Sequence, residues 1–398
     1  MQNEGLSVYV HYPFCEAKCP YCDFNSHGIN QPKFSLKYND YKTLSNLYRA
    51  EIKYYFETIL KSNLFRQKVK INTIFFGGGT PSLMNGELVF DIIQAILQYG
   101  YFENTEITLE ANPSSIEAAK FADFSQAGVN RISIGVQALN EADLKVLGRV
   151  HSKNQALAAI DVARGIFDNY SIDLIYARHN QTLESWKEEL NFALKNLVKN
   201  HISAYSLTIE KGTKYFELNR KGLITTPQGE AAEQFFEATN SILQEGGFEN
   251  YEISNYAKNG AFSAHNAAYW SGADWIGIGP GAHSRITNNI GQRLAINNVY
   301  NPQKWSELLL TSGNGVQQNK ILTSAELASE LALMNLRYKG LDIAFIKDKF
   351  NIDILSFLHP KKVEQFCNDG FLNFDGTILK ASFEGRKILN SLLCAILP

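Results

Sequence analysis

Along the first half of the chain, short apolar runs alternate with longer stretches in which apolar positions recur every three to four residues. The apolar runs predict strands over 7–12, 70–76, 106–109, 131–136, 171–176 and 204–209. Between them Leu44, Leu47, Tyr48, Ile52, Tyr55, Phe56 and Ile59 share one helical face, as do Trp186, Leu190, Ala193, Leu194 and Leu197. Strands that alternate with helices need right-handed crossovers and build a parallel sheet. Buried on both faces, such strands are expected to read as near-continuous apolar runs. Six units of this kind predict an α/β fold, a partial (β/α)6-type TIM barrel rather than a closed eight-unit one.

The rhythm changes after about Asn288, and the chain is read as a barrel domain over 1–300 and a smaller mixed domain over 301–398. Thr323 and Glu326 have the spacing of a capping box, opening a helix with Leu327, Leu331, Met334 and Leu336 on its apolar stripe. Further on, Asp375-Gly376 between two apolar stretches is a hairpin signal. Helices followed by a hairpin predict a winged-helix-like module. Acidic residues interleave with its basic ones, which favours a docking or lid role over nucleic-acid binding.

Charge and composition narrow the classes further. With 38 basic and 40 acidic side chains in 398 residues the net charge is -2, which argues against a polyanion-binding surface over the whole molecule. No apolar run is long enough to span a bilayer. The start of the chain, 1–5, lacks the basic and apolar regions of a signal peptide, so a cytoplasmic location is expected. Of five cysteines, Cys15, Cys19 and Cys22 crowd together while Cys367 and Cys394 stand far away, a distribution that suits a metal site in a reducing compartment.

The strand tips hold the remaining chemistry. The first strand runs into the C-x3-C-x2-C of Cys15, Cys19 and Cys22, the second into Gly77-Gly78-Gly79-Thr80, the third into Glu110 and the fourth into Gln137; Asp173 lies within the fifth. In parallel α/β folds the carboxyl ends of strands converge on one site. Three thiolates satisfy three irons of a 4Fe-4S cubane and leave one iron open, whereas structural zinc takes four protein ligands. No fourth cysteine stands nearby, although His11 and His27 could complete a zinc site.

With its flanking motifs, the cysteine pattern resembles the radical S-adenosylmethionine (SAM) superfamily. The motifs are Tyr9-Val10-His11-Tyr12-Pro13-Phe14-Cys15, Gly77-Gly78-Gly79-Thr80-Pro81-Ser82, Glu110-Ala111-Asn112-Pro113, Gly135-Val136-Gln137, Leu147-Gly148-Arg149-Val150-His151 and Asp173-Leu174-Ile175-Tyr176. Together they resemble the branch that contains oxygen-independent coproporphyrinogen III oxidase and the HemW haem chaperones. The resemblance implies that SAM chelates the open iron of the cluster. It also implies SAM contacts from Tyr9, Gly78, Gly79, Thr80, Glu110, Gln137, Arg149 and Asp173. Gly78 and Gly79 suit close backbone approach, and Arg149 offers a planar fork to the SAM carboxylate or is an ordinary helix-end arginine.

Within that branch, the oxidases resemble C-x3-C-x2-C-x-C and carry a longer segment before the cluster loop. Here Asp23 and Phe24 follow Cys22, and fourteen residues precede Cys15. Both features favour a haem chaperone that delivers haem to an apo-haemoprotein, with a reductant protein if SAM is cleaved and peripheral contact at a membrane surface. Whether the chain is an enzyme is left open. The alternatives are the oxidase and a metal-stabilised scaffold with neither activity. His265-Asn266-Ala267-Ala268-Tyr269 matches an HNxxY motif associated with haem, making His265 the expected axial ligand, with Asn266 and Tyr269 beside it; a hydrogen-bonded structural histidine is the plain alternative. One segment departs from the family pattern. After Tyr176 the family has Gly-Leu-Pro-Gly-Gln-Thr, whereas this chain has Ala177-Arg178-His179-Asn180-Gln181-Thr182, adding a cation and an imidazole near the expected site.

Overall fold

The computed structural model describes residues 5–29, 36–37, 39–61 and 68–397; residues 1–4, part of the stretch read for a leader, lie outside them. Six strands alternate with helices: β1 (Leu6–Tyr12), β2 (Val69–Gly78), β3 (Gly100–Ala111), β4 (Arg131–Gln137), β5 (Asn169–Tyr176) and β6 (His201–Ser206). They pair in parallel and in order, and a further parallel strand, β7 (Trp275–Ile278), joins the open side of β1. Antiparallel strands β8 (His283–Thr287), β9 (Arg293–Asn298) and β10 (Val316–Ile321) extend that edge, and Asn255–Ala257 with Glu249–Asn250 extend the other, in a 12-stranded sheet. The result is a partial α/β barrel.

Two strand expectations need correction. The sixth strand is His201–Ser206, not 204–209. The strands are also not uniformly apolar. Along β4 and β5, Ile132, Ile134, Val136, Ile172 and Leu174 join the core shared with the helices, while Arg131, Ser133, Ser171 and Asp173 alternate with them and face the barrel interior. Polar residues in strand positions therefore mark the inward face, and His201 and Ser203, which an apolar-run criterion leaves outside the strand, belong to β6. Each fully buried aliphatic on the outer face contributes ~1.5–3 kcal/mol relative to exposure.

The amphipathic run from Leu44 is a helix, Tyr41–Tyr54, that continues as a wider-wound turn through Tyr55–Leu60. Among the described residues, no helix is long and apolar enough to cross a membrane.

The second core begins at Leu327 and ends at Ile396. It holds the helix Ser324–Asn335, whose capping box by Thr323 and Glu326 is formed. It also holds a three-stranded sheet that includes the hairpin Leu372–Phe374 with Ile378–Ala381, in a winged-helix-like order. The helix Pro302–Ser312 instead packs on the first core through Trp305 and Leu309, and β10 belongs to the large sheet. Arg285 Nε on β8 donates to both carboxylate oxygens of Glu330, at 3.0 and 2.8 Å, and Asn335 Nδ2 donates to the Trp270 carbonyl at 3.0 Å. The small module is thus docked beside the helix Ala264–Trp270, and none of its described residues lines the cavity at the strand tips.

Candidate cofactor site

The cysteine loop leaves β1 and folds back over the strand tips. Its anchor is backbone: Gly79 N–H donates to the Tyr12 carbonyl at 2.7 Å and Thr80 N–H to the Phe14 carbonyl at 2.8 Å. A Cβ on Gly79 would stand 2.5 Å from the Phe14 carbonyl oxygen, and Gly78, at φ +111°, would press on the His11 ring. These two glycines are required first by the close approach of the β2 tip to the cysteine loop. His11 Nε2 must donate to the Asn25 carbonyl at 2.8 Å, so Nδ1 accepts from the Tyr9 hydroxyl at 3.0 Å. With both nitrogens engaged, His11 is withdrawn from the zinc alternative. Asn25 in turn donates to the Pro280 and Tyr300 carbonyls, each at 2.9 Å, pinning the loop to the rim beyond β7.

Cys15, Cys19, Cys22, Gly78, Gly79, Thr80, Glu110, Gln137, Arg149 and Asp173 all line one cavity of about 360 Å³, a size typical of small-molecule sites. Among the described residues, no three His, Cys, Asp or Glu side chains gather closely enough to hold a single metal ion. The thiols surround a space instead, which suits a cluster that takes one thiolate per iron. Burial pushes the Cys15 thiol up to about 11, so iron would have to displace its proton.

The cavity floor is acidic. Burial and the neighbouring Asp173 charge push Glu110 up to about 8. Asp173 is raised by burial but held down by Ser203, Arg131, Ser133 and Arg149; Ser133 Oγ donates to it at 3.2 Å. Two buried carboxyls pushed apart in this way favour one proton between them, and a cation above them would relieve their repulsion. Arg149 is not free to reach out. Its Nη2 donates to Asn112 Oδ1 at 2.5 Å and to the Gly135 carbonyl at 3.0 Å, and its Nη1 lies 3.5 Å from Cys19 Sγ. Ser133 and Tyr205, which no motif singles out in the sequence, also line the cavity, as does Asn112, which stands there only as part of a motif. The inward alternation on β3, β4 and β6 was the signal for them.

Tyr9 stands below the cavity, its ring flanking Gly77 opposite Glu110. His265, Asn266 and Tyr269 do not line the cavity. His265 is 1 % exposed, stacked on Phe75 at 4.8 Å and edged by Tyr269 at 4.6 Å, with Nδ1 paired to Thr73 Oγ1 at 2.7 Å. Its helix starts on Glu106, which accepts the backbone N–H of Ala264 and His265 at 3.0 and 3.1 Å. Burial lowers the imidazole to about 3, so it is neutral, as iron ligation requires, but in this arrangement the ring is closed off from haem.

The departing loop after β5 takes up left-handed backbone without glycines. Ala177 and Asn180, which stand where the family has glycine, both adopt left-handed backbone at φ 55° and 58°. Neither Arg178 nor His179 lines the cavity. Arg178 is 3 % exposed and turns away from the cavity, donating to the Ile175 carbonyl at 2.6 Å, to Asp143 at 2.6 Å and to Glu189 at 2.5 Å. Glu189 also accepts the Leu139 N–H, so this cluster grips the loop that carries Gln137, itself at φ 68°.

Comparison with known proteins agrees with this geometry. Residues 9–193 match the Radical SAM superfamily model and 322–388 the HemN C-terminal domain model. The chain is 37% identical to the haem chaperone HemW of Escherichia coli over 75% of each chain, and 32% identical to that of Bacillus subtilis over 98% of this chain and 99% of the other. It is 34% identical to the mitochondrial radical S-adenosyl methionine domain-containing protein 1 of Mus musculus, over 98% of this chain and 87% of that one. Its fold matches coproporphyrinogen III oxidase from Escherichia coli with a TM-score of 0.78 at 21% identity, covering 98% of this chain and 89% of that one. With full-length relatives at this level of identity and the cysteine loop seated over the strand tips, the chain belongs to the HemW family of the radical SAM superfamily.

Proposed function

We propose that the chain binds haem and passes it to an apo-haemoprotein, with a 4Fe-4S cluster on Cys15, Cys19 and Cys22 and SAM in the same cavity. The observation that carries the cofactor reading is the convergence of three thiols, the Gly78-Gly79-Thr80 turn and the Glu110–Asp173 floor on one space. Held there, the cluster would supply the electron for cleavage of the SAM sulfonium, once a reductant protein had reduced it. Glu110 and Asp173 receive the positively charged end of SAM, Gln137 offers an amide to its polar groups, and Gly79 and Thr80 hold the cysteine loop in register with them. Arg149, bonded to Asn112 beside Cys19, acts as a fixed cation near the thiolates rather than as a swinging arm. The five free cysteines suit a reducing compartment, and a cytoplasmic location fits that chemistry.

The haem part of the reading rests on the likeness to the HemW haem chaperones and on the HNxxY motif. Phe24 stands where the oxidases carry a further cysteine, and it is exposed at the cavity mouth. Anaerobic reconstitution followed by haem titration and transfer to an apo-haemoprotein tests the proposal. Stoichiometric binding and transfer are expected, and sustained conversion of coproporphyrinogen III would replace it with the oxidase reading. In the same titration His265→Ala is expected to lower stability by ~3 kcal/mol, as for other large buried side chains. If the folded variant keeps the spectrum of bound haem, His265 belongs to the barrel floor. If that spectrum is lost while iron content holds, the helix Ala264–Trp270 leaves the floor to take haem.

SAM affinity is expected to depend on pH through Glu110. Below about 8 the cavity carries a proton on Glu110 that a bound cation must expel. Affinity should therefore fall by up to about tenfold per pH unit as pH drops below that value and level off above it. Isothermal titration of SAM into the reconstituted protein across this range checks the slope, and Glu110→Gln should flatten it.

A further inference from the structure

The inward face of the barrel continues beneath the cavity. Glu110, Ser133 and Asp173 line the cavity, and two residues earlier on the same strands, hence on the same face, stand Thr108, Arg131 and Ser171. Thr108 and Arg131 are register partners on β3 and β4. Arg131 is 2 % exposed. It faces Glu106 at 4.0 Å, beyond hydrogen-bond reach. Its Nε is buried with no hydrogen-bond partner among the described residues, and the same holds for Thr108 Oγ1, Ser7 Oγ and His265 Nε2.

These atoms sit on one ring of neighbours. Ser7 is in register with Thr73, Thr73 bonds His265, the His265 backbone N–H bonds Glu106, and Glu106 faces Arg131. A buried polar atom without a partner costs ~1–3 kcal/mol, and more when charged, so a ring of them implies an occupant. An apolar occupant satisfies none of them. An anion would suit Arg131 alone and be repelled by Glu106 and Asp173. Water both donates and accepts, which a guanidinium, two hydroxyls and an imidazole together require.

We propose that the barrel holds a second polar site one residue layer below the cofactor cavity, in which ordered water bridges Arg131 to Thr108, Ser7 and His265 Nε2 and hydrates the Asp173 carboxylate from beneath. The site ties the Arg131 cation to the cavity floor and sustains the charge there. Consistent with that link, the Arg131 charge opposes the rise that burial imposes on Asp173.

A high-resolution crystal structure of the full chain, grown without sulfate or phosphate, tests this directly. Ordered water is expected within hydrogen-bond distance of both Arg131 and His265 Nε2. A dry interior, or an Arg131 whose donors are all met by protein oxygens, overturns the proposal, and an oxyanion there overturns the choice of ligand. In solution, oxygen-17 relaxation dispersion counts long-lived internal water, and folded Arg131→Met should show fewer such molecules than the parent; an unchanged count contradicts the site.

Discussion

Replacing any one of Cys15, Cys19 and Cys22 by alanine is expected to abolish assembly of the cluster, taking bound iron and sulfide from about four each per chain to near zero after anaerobic reconstitution. The three thiols line one cavity, and no further cysteine lines it, so the loss of one thiolate leaves two irons without a protein ligand. Cys367 and Cys394 lie in the second unit, on helices away from that cavity, and their alanine variants should keep full iron content. The fold should survive in every case, because the loop is held by backbone bonds from Gly79 and Thr80 and by the Asn25 side chain rather than by the thiols. Iron and sulfide analysis with circular dichroism separates the two effects. Closed-site zinc that is indifferent to SAM would contradict the cluster assignment.

Arg178→Ala is expected to be the most destabilising single change in the loops around the cavity. It strands Glu189 and Asp143, the first of them 7% exposed, without their cation. Breaking a buried pair by removing one partner costs ~3–5 kcal/mol, because the carboxylates keep their desolvation penalty and lose the attraction that offset it. The same cation supports the left-handed backbone of Ala177, a conformation that costs a residue with a Cβ ~1–2 kcal/mol. Urea unfolding should show the loss. Arg178→Lys should recover part of it, since one ammonium cannot reach the Ile175 carbonyl, Asp143 and Glu189 together as the planar fork does. SAM affinity should also weaken in Arg178→Ala through the loop that carries Gln137. Unchanged stability would mean that the ion cluster does not hold the loop.

The sequence by itself determined the alternation of strand and helix, the capped helix and hairpin of the small module, the three cysteines and most of the residues that meet at the strand tips. These are carried by local patterns: a period of hydrophobicity, a cap spacing, a thiol spacing. The barrel's polar interior was also written in the strands, as the alternation Arg131, Ser133, Gly135, Gln137 against Ile132, Ile134, Val136. Only the tertiary structure decided the rest. An HNxxY spacing does not say whether His265 faces an opening or a floor, because that depends on Thr73, Phe75 and Glu106 from strands far away in the chain. A basic residue in a loop does not say whether it meets a ligand or, as Arg178 does, a buried and a half-buried carboxylate on later and earlier helices. Glu110 and Asp173 become an acidic floor only when β3 and β5, on either side of β4, bring them together out of water. Orientation, burial and long-range pairing are properties of the packed barrel, and no local pattern encodes them.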